Sequence, residues 1–273
     1  MSSGRGWAKI VDGVLLVTLT AAGLLHPESP ATFYAALAGA FAALATVVLG
    51  GAALANLVAG RVDPHARIQG PRVRPARIGT EAFESARAMY VAACLAAWPI
   101  AQWQLGHDTA MVWSLDGHPW WAVVLQTLVG VVVIDGWLYL KHRLLHTRWL
   151  FPFHAPHHAF RDPTPFAGFA VAPVEAVMTF WPILILCIPA ATHWAPLYFG
   201  LVLGFIALNF YLHCGVTWRL LEGTLPRAFL NTSAFHNVHH SHVKVNFGEA
   251  LYLWDRICGT RLVDRADVRE TAR

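Results

Sequence analysis

The feature that most constrains this chain is a series of apolar blocks long enough to cross a lipid bilayer, which takes about 20 residues of helix. Candidates run at about 10–25, 33–59, 86–105, 120–140, 172–190 and 195–214. Hydrocarbon leaves no solvent partner for a bare amide or carbonyl, so a spanning segment satisfies its own backbone by becoming helical. Composition agrees, since only 13% of the 273 residues are charged against roughly 25% in a soluble domain. The expected fold is all-α, a polytopic integral membrane protein of about six transmembrane or re-entrant helices. The first block follows Arg5 and Lys9 and is read as a membrane anchor, although its short apolar core also fits a signal peptide. The second returns after the turn HPESP, and Gly39, Gly50 and Gly51 would let two helices pack closely.

Charge orients the chain. With both termini inside, the outer loops are about 26–32, 106–119 and 191–195, and none contains Lys or Arg. The basic residues collect on the other side: Arg5 and Lys9, then Arg61, Arg67, Arg72, Arg74 and Arg77, then Lys141 through Arg161, then everything from Arg219 onward. That asymmetry marks the basic side as cytoplasmic. Trp103, Trp113, Trp120, Trp121 and Trp194 fall near the outer boundaries, where amphipathic rings favour the headgroup level. Residues 60–82, rich in Arg, Pro and Gly, form a linker, so that 1–82 make an N-terminal hairpin with its basic linker and 83–273 the main membrane domain. A formal charge of +4 is too slight and scattered for a nucleic-acid surface. Cys94, Cys187, Cys214 and Cys258 show no C-x-x-C spacing, which leaves neither a disulfide framework nor a thiolate metal site. High Ala and Arg content is compatible with a GC-rich bacterial gene and hence a plasma membrane.

Ten of the 15 histidines gather on the basic side. The segment KHRLLHTRWLFPFHAPHHAF holds His142 and His146 four apart, then His154, His157 and His158 as H-x-x-H-H. His213 closes the last apolar block, four residues after Asn209. AFHNVHHSH repeats H-x-x-H-H with His236, His239 and His240, and His242 lies just beyond as a surface or supporting residue. Residues three or four apart share a helix face and can chelate one ion together. Adjacent histidines point about 100° apart on a helix, so each can face a different ion. Two metals sharing these imidazoles would retain open coordination positions, which oxygen chemistry requires. Blocks 172–190 and 195–214 form a hairpin that brings the C-terminal cluster back beside the first. Asp135 sits seven residues before His142 on the same face, and a carboxylate in lipid is expensive, so a histidine-orienting role is expected. Glu175 and Asp255 are candidates for the same role. Asn209 is a candidate ligand or water-mediated contact.

Over about residues 125–262 the sequence resembles the fatty acid hydroxylase / sterol desaturase superfamily of membrane di-iron enzymes. The resemblance rests on DGWLYLKHRLLH, on WLFPFHAPHH, and on NTSAFHNVHHSHVKVNFGEALYLWDRICGT. It implies metal ligands at His142, His146, His154, His157, His158, His213, His236, His239 and His240. Two departures stand out: Ala172-Pro173-Val174-Glu175 where many relatives have His-Pro-x-Glu, and Asn209 where some have another histidine. The expected cofactors are two iron ions, with zinc as a possible substitute because imidazole alone does not separate the two. The implied reaction is O2-dependent oxidation of a C–H bond in a lipid or sterol-like substrate, with hydroxylation favoured and desaturation the alternative. Electrons would come from a separate ferredoxin, cytochrome b5 or reductase. A zinc hydrolase would need a Glu within the clusters, as in H-E-x-x-H. A metal transporter or sensor would need ionisable groups along the midplane rather than at one face.

Overall fold

The computed structural model describes residues 6–68, 77–160 and 163–262. Arg5, Arg72, Arg74 and Arg161 lie outside the described residues. The chain runs through α1 (Gly6–Ala22), α2 (Pro30–Ala59), α3 (Ile78–Gln104), α4 (Trp120–Leu145), α5 (Phe151–His158), α6 (Pro173–Phe180), α7 (Ala195–Leu212), α8 (Arg219–Thr224), α9 (Ser233–Ser241) and α10 (Leu253–Ile257). Among the described residues, strand is limited to β1 (Met111–Val112) and β2 (His193–Trp194), which pair in parallel.

The fold is all-α and membrane-like. Among the described residues four helical segments are long and apolar enough to cross a membrane: Gly6–Leu25, Pro30–Ala59, Trp120–Leu145 and Ala195–Leu212. Their outward faces expose Ile10, Val14 and Val17 on α1, Leu54 and Leu57 on α2, and Val129 and Val133 on α4. An apolar surface of that extent suits lipid and not water. The other two blocks take different forms. Block 86–105 belongs to the 27-residue α3, which starts at Ile78 and so takes the last residues of the expected linker into its first turns. Block 172–190 is the eight-residue α6 followed by a 3-10 segment, Trp181–Cys187. Pro182 cannot donate the amide that would continue α6 as an α-helix.

Small residues set the packing, but of the three glycines in the pattern only Gly51 takes part. Ala36 and Ala40 of α2 meet Ala93, Ala97 and Ala101 of α3 in an alanine seam around Phe33. A side chain at Gly39 or Gly50 would meet only open space, whereas one at Gly51 would run into Phe210 of α7. The close approach is therefore between α2 and α7 at one point, and elsewhere Ala supplies it. Ser29 caps α2, accepting from the Thr32 amide at 3.1 Å ahead of Pro30.

The bundle has two unlike ends. At one, β1 pairs with β2, the Trp194 amide bonds Thr127 Oγ1 at 3.0 Å, and Trp103, Trp113, Trp120 and Trp121 stand exposed. At the other, the C-termini of α4 and α7 meet α5 and α9, and Ala59 at the end of α2 packs with Tyr211 and Cys214 at the end of α7. There the Thr217 amide bonds the Ala66 carbonyl at 2.8 Å, and the histidines converge.

Candidate metal centre

Four local structures deliver the imidazoles. The last turn of α4 carries His142, and His146 caps that helix. Helix α5, begun by Phe151 and Pro152, carries His154, His157 and His158. Thr232 caps α9 through its hydroxyl, which accepts from the Phe235 amide at 3.3 Å, and α9 carries His236, His239 and His240. His213 ends α7.

The nine side chains form two groups, each with ring nitrogens within 4.8 Å of one another: His142, His146, His154, His158 and His239, and His157, His213, His236 and His240. The neighbours His157 and His158 fall in different groups, with rings 87° apart, and so do His239 and His240, at 77°. His158 Nε2 lies 3.0 Å from His154 Nε2, 3.2 Å from His146 Nε2 and 3.3 Å from His239 Nε2. In the second group His236 Nε2 is 3.0 Å from His213 Nε2 and 3.2 Å from His240 Nε2.

The opposite edges of four rings are committed to oxygen acceptors. Nδ1 of His142 donates to the Phe247 carbonyl at 2.9 Å, that of His239 to the Val245 carbonyl at 2.7 Å, and that of His213 to the Asn209 carbonyl at 2.9 Å. His154 Nδ1 donates to Glu175 Oε2 at 2.8 Å. With Nδ1 bearing the proton, Nε2 presents a lone pair inward, as it does in a metal-ligating histidine. Several lone pairs converging at about 3 Å repel unless a cation lies among them. His142 Nε2 and Nδ1 of His157, His158, His236 and His240 are buried without a hydrogen-bond partner. Burial drives the proton affinity of His154 and His158 down to about 3 and that of His213 down to about 4. His157, His236, His239 and His240 are held well below their ordinary value by burial and then by neighbouring imidazoles. The rings are neutral at physiological pH, as metal ligation demands. On donor chemistry, spacing and orphaned nitrogens, both groups fit a bound metal ion.

The other candidates occupy supporting places. Asp255 is fully buried and grips the turn before α10, accepting from the Phe247 and Gly248 amides at 2.8 and 2.7 Å and from Thr260 Oγ1 at 2.6 Å. That turn presents the Phe247 carbonyl to His142. A side chain at Gly248 would collide with the Leu251 carbonyl, so this close approach needs glycine. Asp135 bonds the C-terminal segment rather than an imidazole, accepting from the Ala250 amide at 3.1 Å and Trp254 Nε1 at 2.8 Å. Asn209 lies beside the second group; its Oδ1 is buried without a partner, against Gly168. His242 is exposed. Glu175 touches His154 directly.

Two charged residues missed by the sequence reading complete the site. Lys141, 2% exposed, donates to Glu249 Oε1 at 2.5 Å and lies 3.8 Å from Glu175 Oε1. A lysine at the end of an apolar block, beside His142, was the available signal. Lys141, Glu175, Glu249 and Asn209 form the polar wall of a cleft against the histidines, and Phe169, Val171, Phe180, Phe205 and Leu212 form its apolar wall.

Comparison with known proteins places this site in a family. Residues 127–260, which contain all nine of these histidines, match the model of the fatty acid hydroxylase family. That segment of the chain, residues 127–260, belongs to the fatty acid hydroxylase / sterol desaturase superfamily. Lathosterol oxidase of Rattus norvegicus is 32% identical over 142 residues, 52% of this chain and 46% of that protein. Ornithine lipid hydroxylase of Rhizobium tropici is 33% identical over 159 residues, 54% of this chain and 46% of the relative. A Delta(7)-sterol 5(6)-desaturase of Gibberella zeae is 27% identical over 150 residues, 54% of this chain and 45% of the relative. The chain thus spans about half the length of the curated relatives it matches. No solved structure matches.

Proposed function

We propose that this protein oxidises a C–H bond of a membrane lipid with O2, most simply by hydroxylation, at a centre of two iron ions held by its nine clustered histidines. The observation that carries this reading is the convergence of nine buried or half-buried imidazoles, four of them anchored through Nδ1, into two groups at one end of a membrane bundle. Iron bound there supplies the activation of O2, which no side chain can perform.

The protein's own residues do the rest. His142, His154, His213 and His239 hold their lone pairs inward through the acceptors behind them. Asp255 and Gly248 shape the turn behind His142, and Asp135 ties that C-terminal segment to α4. Phe169, Phe180 and Phe205 line the cleft with apolar surface beside the histidines, which would help to keep bulk water from the centre. We assign Asn209 to the cleft rather than to the ligand set. The basic segments flanking the histidine end support a cytoplasmic position for it, where a separate ferredoxin, cytochrome b5 or reductase would deliver electrons. The relatives named above include both hydroxylase and desaturase, and loss of a second hydrogen at the same centre would give an alkene.

Iron analysis of purified protein, joined to lipid profiling of cells with and without it, tests the reading. Two irons per chain and a lipid species differing by one oxygen are expected; a species lacking two hydrogens would instead mark a desaturase. Absence of iron from metal-replete protein, or unchanged lipids in cells carrying both His157→Ala and His239→Ala, overturns it.

A further inference from the structure

Helix α1 lies outside residues 127–260 and was expected to be an anchor, yet it carries a carboxylate into the bundle. Asp12 is buried, and its Oδ1 accepts from the Val174 amide at 3.0 Å. Val174 is the second residue of α6, where backbone amides lack partners within their own helix. The residue at the N-cap of α6 is Ala172, which has no side chain to accept them. Asp12 therefore supplies from another helix the acceptor that a Ser, Thr, Asp or Asn at position 172 would supply locally, and its negative charge suits the positive end of the α6 dipole.

The next residue of α6 is Glu175, which accepts from His154 Nδ1 at 2.8 Å. Helix α1 also touches α5 itself, where Trp7 packs edge-on against Phe153, the residue before His154, with ring centroids 5.1 Å apart. One helix thus contacts both the element that carries His154 and the element that carries its carboxylate partner. A carboxylate within an apolar helix is costly and is retained where it makes a specific bond.

The geometry points to Asp12 as a positioning residue of the metal centre: it fixes the first turn of α6 and, through Glu175, the orientation of His154 in the five-histidine group. This inference rests on the metal-centre reading above. It makes α1 a working part of the site, so that the site extends beyond the matched domain.

Ferrous-ion binding to the full-length chain in nanodiscs, measured by competition with a chelator and by metal content, tests it. Carboxylates behind metal-ligating histidines carry about 10- to 100-fold in affinity. Asp12→Ala acts one step further back, through Glu175, and should weaken one of the two ions by up to about tenfold and leave the other in place. Asp12→Asn keeps an oxygen acceptor and should lose less. Adding Ala172→Ser to Asp12→Ala, which restores a local cap in the space the carboxylate vacates, should recover the affinity. His154→Ala is the control for the underlying reading, because it must remove an ion if the histidines bind metal at all. If His154→Ala weakens binding while Asp12→Ala does not, the role of Asp12 is overturned and the metal centre stands. Loss of both ions in Asp12→Ala without recovery by Ala172→Ser also overturns it, since that marks a general failure to fold. Two ions retained in His154→Ala overturn the metal reading itself.

Discussion

The two histidine groups are built to different standards of support. In the five-histidine group, three rings have their outer nitrogen fixed: His142 by the Phe247 carbonyl, His239 by the Val245 carbonyl and His154 by the Glu175 carboxylate. In the four-histidine group only His213 is so held, by the Asn209 carbonyl, while Nδ1 of His157, His236 and His240 is buried without a partner. The first group also has a carboxylate and a buried lysine at its back; the second has Asn209. Outer hydrogen bonds fix tautomer and ring orientation and raise basicity. The five-histidine position should therefore be the tighter and more rigid, and the four-histidine position the more easily emptied.

Removing a ligand breaks this comparison most directly. His239→Ala should cost the ion of the five-histidine group, His240→Ala that of the four-histidine group, and each should abolish substrate oxidation, as metal analysis and a product assay would record. If either variant loses both ions, the two groups are one cooperative unit rather than two sites. Glu175→Gln comes next: it preserves shape but removes the charge behind His154, so affinity at the five-histidine position should fall by about 10- to 100-fold. The same substitution should leave the other position unchanged in a two-site titration.

Acid supplies a graded test. An unfolded histidine titrates near pH 6.5, whereas burial lowers His154 and His158 to about 3 and His213 to about 4. Between those limits the unfolded chain binds more protons than the folded one, so folded stability falls as pH drops through this window and is complete above it. Thermal unfolding of metal-free protein should be level above about pH 7 and decline from about pH 6.5 toward 4. In the loaded protein protons compete for the same nitrogens. Metal released against pH should leave the four-histidine group first, and the reverse order would show that Glu175 and the two carbonyls give no advantage.

What could be read from the sequence follows from how local each feature is. The pairing of His142 with His146, and of His154 with His158, depends only on helix spacing and was legible. So was the separation of His239 from His240, because adjacent residues diverge around a helix. That His239 joins His142, with ring centroids 4.4 Å apart, depends on how α9 folds back on α4. Asp135 was recognisable as an unusual carboxylate in an apolar block, but its partners, Ala250 and Trp254, are 115 and 119 residues away. Lys141 escaped for the same reason, since Glu249 is 108 residues distant. Gly39 and Gly50 were misread because α2 is apolar on every side, so nothing in its pattern marks the packed face.

The smallest expected effect separates the cleft from the ligands that border it. A methyl group at Gly168 would meet Asn209 Oδ1, so Gly168→Ala must turn the Asn209 carboxamide away from its present place. The His213 bond goes to the Asn209 backbone carbonyl rather than to that carboxamide, so it survives. Metal content should therefore be unchanged at both positions. What changes is the shape and polarity of the wall shared with Phe169 and Phe205, and one methylene in a pocket alters discrimination by about 10- to 200-fold, the low end applying when its neighbours can move. A rise in KM with kcat nearly intact identifies Asn209 as part of the substrate-binding wall. Loss of the ion from the four-histidine group would instead make the carboxamide part of that group's metal environment, and the contrast between the two groups would narrow accordingly.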